Sequence, residues 1–113
     1  MDDILQIAHK ALDDKFGEDI KIIDLRGVST LADYFIITNG NSDAQVKALA
    51  DEVAEKLAKA GLVMKSSEGY SSASWILLDF GDIIVHVFDK ASREFYNLER
   101  IWGDAQTVPV GEN

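Results

Sequence analysis

Apolar positions along the chain change period several times, and each change predicts an element. Ile4, Leu5, Ala8, Ala11, Leu12 and Phe16 recur at the spacing of one helical face. They follow Asp2 and Asp3, whose charges favour a helix amino terminus, and Gly17 is the expected stop. Residues 20–25 alternate imperfectly and are rich in β-branched side chains, which predicts a strand. Residues 33–38 contain the continuous run Tyr34, Phe35, Ile36 and Ile37, as expected for a strand covered on both faces. Asn39, Gly40, Asn41 and Ser42 supply turn and cap chemistry. Val46, Leu49, Ala50, Val53 and Leu57 then form the stripe of a second helix that runs to Lys59 and Gly61.

Residues 62–65 read as a short strand and residues 66–74 as a polar, Ser-rich loop. From Trp75 onward two apolar runs flank Gly81 and Asp82, a pair suited to a two-residue type II′ hairpin because Gly supplies the positive φ at its first central position. Strand alternation sends Trp75, Leu77 and Asp79 to one side of the sheet and Ile76, Leu78 and Phe80 to the other. A third helix is expected from near Asp89 or Ser92, burying Phe95, Leu98 and Trp102. Beyond Asp104 the pattern fades, and Pro109 and Gly111 mark a tail that is ordered only if it docks on something.

These elements predict an α/β fold, a mixed, about five-stranded sheet with helices packed on its faces. The second helix is expected to cross between parallel neighbours at Tyr34 and Leu62, in the right-handed sense. The chain reads as one domain over residues 1–105 with a C-terminal tail over residues 106–113.

Composition narrows the chemistry. With no cysteine among 113 residues, thiolate metal sites, disulfides and thiol redox reactions are excluded. The two histidines, His9 and His86, are far apart and too few to complete a metal site alone, so no metal or other cofactor is expected. Twenty acidic against 11 basic side chains give a net charge of −9, which disfavours free nucleic acid and leaves a basic protein surface as a possible partner. The same charge also serves solubility alone. The amino terminus lacks a basic targeting region and no apolar run approaches the roughly 18 residues of a membrane span, so a cytoplasmic chain with no membrane partner is expected.

Asp79 and Asp82 are the obvious carboxylate pair, but their spacing of three does not place both on one face of a strand, and Asp82 is also a good turn residue. Gly40, Asn41 and Ser42 precede a helix as phosphate-cradling turns do, yet there is no Lys in the turn, and Asp43 would oppose an anion. His86 lies in an apolar strand, where a hydrogen-bonded core histidine is the simplest reading and a general base the alternative. The face carrying Trp75, Leu77 and Asp79, next to a helix with Arg93 and Tyr96, has the aromatic and charged makeup of a protein-binding patch. The alternative is that Trp75 packs under the third helix and completes the core.

Several segments occur together and in order: the run from Asp33 to Thr38, the run from Gln45 to Asp51, Glu68-Gly69, the Trp-x-Leu-Leu-Asp-Phe-Gly-Asp run from Trp75, Val85-His86-x-Phe88, and Phe95-Tyr96-x-Leu98-Glu99-x-x-Trp102-x-Asp104-Ala105. Over roughly residues 2 to 108 the chain resembles the ribosomal silencing factor, or Iojap-like, family. The resemblance implies a non-enzymatic factor that binds the large ribosomal subunit through its L-fourteen-type protein. Its bulk would block association with the small subunit and repress translation during nutrient limitation. It also implies a homodimer when free and a sheet similar to nucleotidyltransferase folds, although fold alone is no evidence of that activity. Carried over by position, the ribosomal contact would fall on Trp75, Leu77 and Asp79, with His86, Arg93 and Tyr96 nearby. One departure is Ala44, with Asp43 before it, where many members have a basic residue two positions before Val46. Contacts assigned in relatives to that helix start are therefore not expected here. The competing expectations are a large-subunit assembly factor using the same contact, and a nucleotidyltransferase-like remnant dependent on Asp79 or Asp82.

Overall fold

The computed structural model describes residues 2–103 and 105–109. Helix α1 spans Asp2–Asp14 and buries Leu5, Ala8, Ala11 and Leu12, the stripe expected from their spacing. Phe16 does not join it. The helix has already ended, Phe16 takes φ +64°, and its ring is 81% exposed. Gly17 closes the turn by donating its N–H to the Leu12 carbonyl at 2.9 Å.

Strands β1 (Glu18–Asp24) and β2 (Tyr34–Gly40) pair antiparallel, with Ile22 opposite Ile36. Every residue of β2 is buried, as its unbroken apolar run requires of a central strand. Helix α2 (Asp43–Lys59) starts where Ser42 Oγ accepts the Gln45 N–H at 3.1 Å. Gln45 Oε1 in turn accepts the Asn41 N–H at 2.7 Å, so two otherwise orphaned donors are satisfied across one turn. Val46, Leu49, Ala50, Val53 and Leu57 are all buried, as expected.

The third strand is not at residues 62–65. Strand β3 is Ser66–Glu68, inside the stretch expected to be a loop, and pairs antiparallel with β4 (Trp75–Asp79). All three β3 residues are exposed at the sheet edge. A strand with no buried face carries no apolar alternation, so its sequence looks like loop. Strand β5 (Ile83–Asp89) completes the expected hairpin: Gly81 takes φ +91° and Phe80 donates its N–H to the Ile83 carbonyl at 2.9 Å.

The sheet order is β3-β4-β5-β2-β1-β6, where β6 is Gln106–Thr107 paired antiparallel to β1. The parallel neighbour of β2 is β5, from Tyr34 opposite Ile83 to Gly40 opposite Asp89. The crossover therefore contains α2, β3 and β4 rather than α2 alone. Among the described residues there are six strands instead of about five, because the start of the expected tail docks on β1, where Val108 N–H also donates to the Ile22 carbonyl at 2.7 Å. Residues 110–113 lie outside the described residues.

Helices α1 and α2 cover one face of the sheet, meeting Ile76, Leu78, Phe80, Ile83, Val85 and Val87. On the other face the expected single helix is two short ones, α3 (Lys90–Tyr96) and α4 (Leu98–Ile101). Asp89 caps α3 by accepting the Ser92 N–H at 2.7 Å, and Asn97 breaks the run with φ +46° and ψ +59°. The break shifts the helical phase. Leu98 is buried and Trp102 partly buried, as expected, but Phe95 is 81% exposed, and Arg93 takes the inward position on α3.

Candidate functional site

Helices α3 and α4 pack over the β5, β2 and β1 part of their face, against Ile23, Phe35, Ile37 and Phe88. Strand β4 runs past that cover. Its outward residues Trp75, Leu77 and Asp79 are half-buried, while Ile76 and Leu78 between them are buried on the α1–α2 side. Across the ladder Trp75 faces Phe88, Leu77 faces His86, and Asp79 faces Ile84. Leu77 and Ile84 thus leave apolar surface on a part of the sheet face that, among the described residues, α3 and α4 do not close.

Trp75 joins this open surface to the covered part. Its ring stacks on Phe88, with centroids 5.0 Å apart, and leans on Tyr96 at 4.7 Å. Its Nε1–H donates to Nδ1 of His86 at 3.0 Å. One side of the indole packs against α3, as the core reading has it, and the ring remains half-exposed. Tyr96 is itself 47% exposed, and the outward Phe95 meets it edge-on at 5.1 Å. Asp79 uses one carboxylate oxygen to accept the Gly81 N–H at 2.8 Å, which anchors the hairpin turn beside the patch.

His86 and Arg93 lie behind this surface rather than on it. The imidazole is 3% exposed, packed edge-on against Phe35 at 4.5 Å, and burial alone lowers its pKa to about 4, so it is neutral at pH 7. The Arg93 guanidinium is 7% exposed, with every nitrogen engaged internally. Nη1 donates to Asn39 Oδ1 at 2.9 Å and to the Glu18 carbonyl at 3.0 Å, while Nε and Nη2 both reach Glu99 Oε2. A cavity of about 480 Å³ opens here, lined by Glu18, Asn39, Asn97 and Glu99 among others, and four of the five guanidinium N–H groups of Arg93 are already used on Glu99, Asn39 and Glu18, with Nη2 also 3.6 Å from Asp19.

The sequence reading missed Ile84 and Phe95 as surface-forming residues. Ile84 was legible in principle, since it lies on the Trp75 side by cross-strand register. Phe95 was not, because its exposure follows from the break at Asn97. Asp82 is exposed at the turn and its carbonyl accepts the N–H groups of Asp33 and Tyr34, at 2.8 and 3.0 Å. Among the described residues no three His, Asp or Glu side chains are grouped to hold a metal ion. Among them, too, no helix is long and apolar enough to cross a membrane.

The family model described as "Ribosomal silencing factor during starvation" matches residues 1–113. The chain belongs to the ribosomal silencing factor family. The ribosomal silencing factor of Bacillus subtilis is 51% identical over 102 residues, covering 90% of this chain and 86% of that protein. The chloroplast protein Iojap of Zea mays is 32% identical over 101 residues, 89% of this chain but 44% of the longer plant protein. A crystal structure from Chromobacterium violaceum superposes with a TM-score of 0.87 at 39% identity, covering 98% of this chain and 92% of that one. The fold of this silencing-factor chain is thereby shared along almost its whole length. Asp43 and Ala44 fall in the first turn of α2, whose start is capped by Ser42 and Gln45.

Proposed function

We propose that this chain is a non-enzymatic silencing factor that docks on the large ribosomal subunit through its L-fourteen-type protein and sterically blocks association with the small subunit. The observation that carries this reading is the sheet face that α3 and α4 leave open. There Trp75, Leu77 and Ile84 present apolar surface beside the exposed Tyr96 and Phe95. Half-exposed aromatics held by their neighbours are the usual anchors of protein interfaces. In this reading Trp75, Leu77, Asp79 and Tyr96 touch the partner, and His86 and Arg93 support them from beneath. A net charge of −9 favours a basic protein over exposed RNA, within a screening length of about 8 Å at cellular salt. The same apolar face would pair two copies when the protein is free, making dimer and ribosome-bound states exclusive. In this reading the chain meets its ribosomal partner in the cytoplasm.

The test is sucrose-gradient sedimentation of purified subunits at joining magnesium, with and without excess protein. Co-sedimentation with large subunits and a smaller joined-ribosome peak are expected. If large subunits carry the protein and joining is unchanged, the blocking mechanism is wrong and a role in subunit assembly takes its place. Absence of co-sedimentation overturns the ribosomal contact itself.

A further inference from the structure

The Trp75–His86 hydrogen bond determines which nitrogen of the imidazole carries the proton. Indole Nε1–H can only donate, so His86 Nδ1 must present its lone pair. A neutral imidazole then has its hydrogen on Nε2. That atom is buried and has no hydrogen-bond partner among the described residues. Leaving a buried donor unsatisfied is unfavourable, and an apolar ring at this position would avoid it. The side chain is packed as a core residue, with Phe35 edge-on at 4.5 Å and Phe88 nearly parallel at 6.3 Å. What an apolar ring could not do is accept the indole N–H.

The indole needs that acceptor. Phe88 and Tyr96 contact its ring planes, at 5.0 and 4.7 Å, but stacking alone tolerates sliding and in-plane rotation. The bond to Nδ1 selects one orientation. An anchor already held in its bound orientation loses less freedom on docking, and so binds more tightly for the same contacts.

We propose that His86 is a positioning residue: as the neutral Nε2–H imidazole it holds the Trp75 indole in the orientation that meets the ribosomal partner. This inference rests on the reading of the Trp75 face as the contact. His86 itself stays beneath the surface and touches nothing but this chain.

The experiment compares wild type, His86→Phe and His86→Asn. Phe keeps a ring but cannot accept, whereas the Asn side-chain oxygen lies near the position of Nδ1. Two readouts are taken on each: the indole N–H signal of Trp75 by nitrogen-15 NMR, distinguished from that of Trp102 by Trp102→Phe, and the dissociation rate from purified large subunits. In His86→Phe the Trp75 signal should move to its unbonded position and exchange faster with water, and dissociation should speed up roughly 10-fold. His86→Asn should restore both in part. A folded His86→Phe protein that dissociates at the wild-type rate overturns the proposal.

Should His86→Phe fail to fold, Trp75→Phe and Trp75→Phe/His86→Asn replace it. If His86 acts through the indole N–H, adding His86→Asn to Trp75→Phe changes dissociation no further, and an additional loss overturns the proposal. Trp75→Ala separates the two ideas. Full-strength binding by that variant removes the contact reading, while the indole signal of wild type against the His86 variants still reports whether His86 holds Trp75.

Discussion

Arg93 on α3 donates to Asn39 Oδ1 on β2 at 2.9 Å, joining residues 54 positions apart. Around this bond the Glu18 carboxylate accepts from the side-chain amides of Asn39 at 2.8 Å and Asn41 at 3.1 Å, and the Glu18 carbonyl accepts from Thr38 Oγ1 at 2.8 Å. The first turn of the β1 ladder is irregular at this point, with Asp19 at φ +45° and a register shift before Lys21. Arg93 thus ties α3 to the ends of both strands. Replacing it with Met keeps the stem but leaves Asn39 and Glu99 without their cation. Arg93→Met is expected to lose about 3 kcal/mol of stability, read as a lower urea midpoint at unchanged slope.

Acid should weaken the fold through His86. Its folded pKa of about 4 lies below the unfolded value near 6.5, so between these two the unfolded chain binds more protons. Stability from this group is intact above pH 6.5 and is lost as pH falls toward 4. Between pH 7 and pH 5 the loss is about 2 kcal/mol. His86→Asn removes the titrating group, so the difference in unfolding free energy between wild type and variant should shrink with this slope. A difference independent of pH contradicts it.

Phe95 and Leu98 are three positions apart, yet face opposite ways across the Asn97 break. Phe95 is 81% exposed and Leu98 is 9% exposed. Phe95→Ser should change stability by no more than about 0.5 kcal/mol while weakening large-subunit binding. Leu98→Ala should cost about 2 kcal/mol or more, through a cavity beside Phe35 and Phe88. Thermal denaturation and subunit co-sedimentation on the same samples distinguish the two.

Two glycines with similar backbones should respond differently to alanine. Gly69 takes φ +82°, and a Cβ there would overlap the carbonyl oxygen of Trp75. Gly61 takes φ +98°, with open space around its missing Cβ. Gly61→Ala should cost about 1 kcal/mol, the strain of the left-handed region alone. Gly69→Ala should cost more than about 2 kcal/mol and disturb Trp75, because the backbone carbonyl must move. Equal losses in chemical denaturation would show that the Trp75 carbonyl yields freely.

The sequence by itself determined what its periodicity encodes: which residues turn inward and which outward. That covers the α2 stripe, the central β2, the Gly81 hairpin and the sidedness of Trp75, Leu77 and Asp79, all of which depend on neighbours a few positions away. Only the tertiary structure decided which strands meet and which polar groups are buried. The β2–β5 pairing brings together residues 49 apart, so no local pattern announces it. The edge strand β3 buries no face and leaves no apolar trace. Arg93 read as surface chemistry because charged side chains usually sit there, while His86 read as a core histidine from its apolar strand but with no legible partner. They lie inside because Asn39, Glu18 and Glu99 receive the guanidinium, and Trp75 and Phe35 enclose the imidazole. Burial of a polar group depends on whether partners converge on it, and that convergence exists only once the chain has folded.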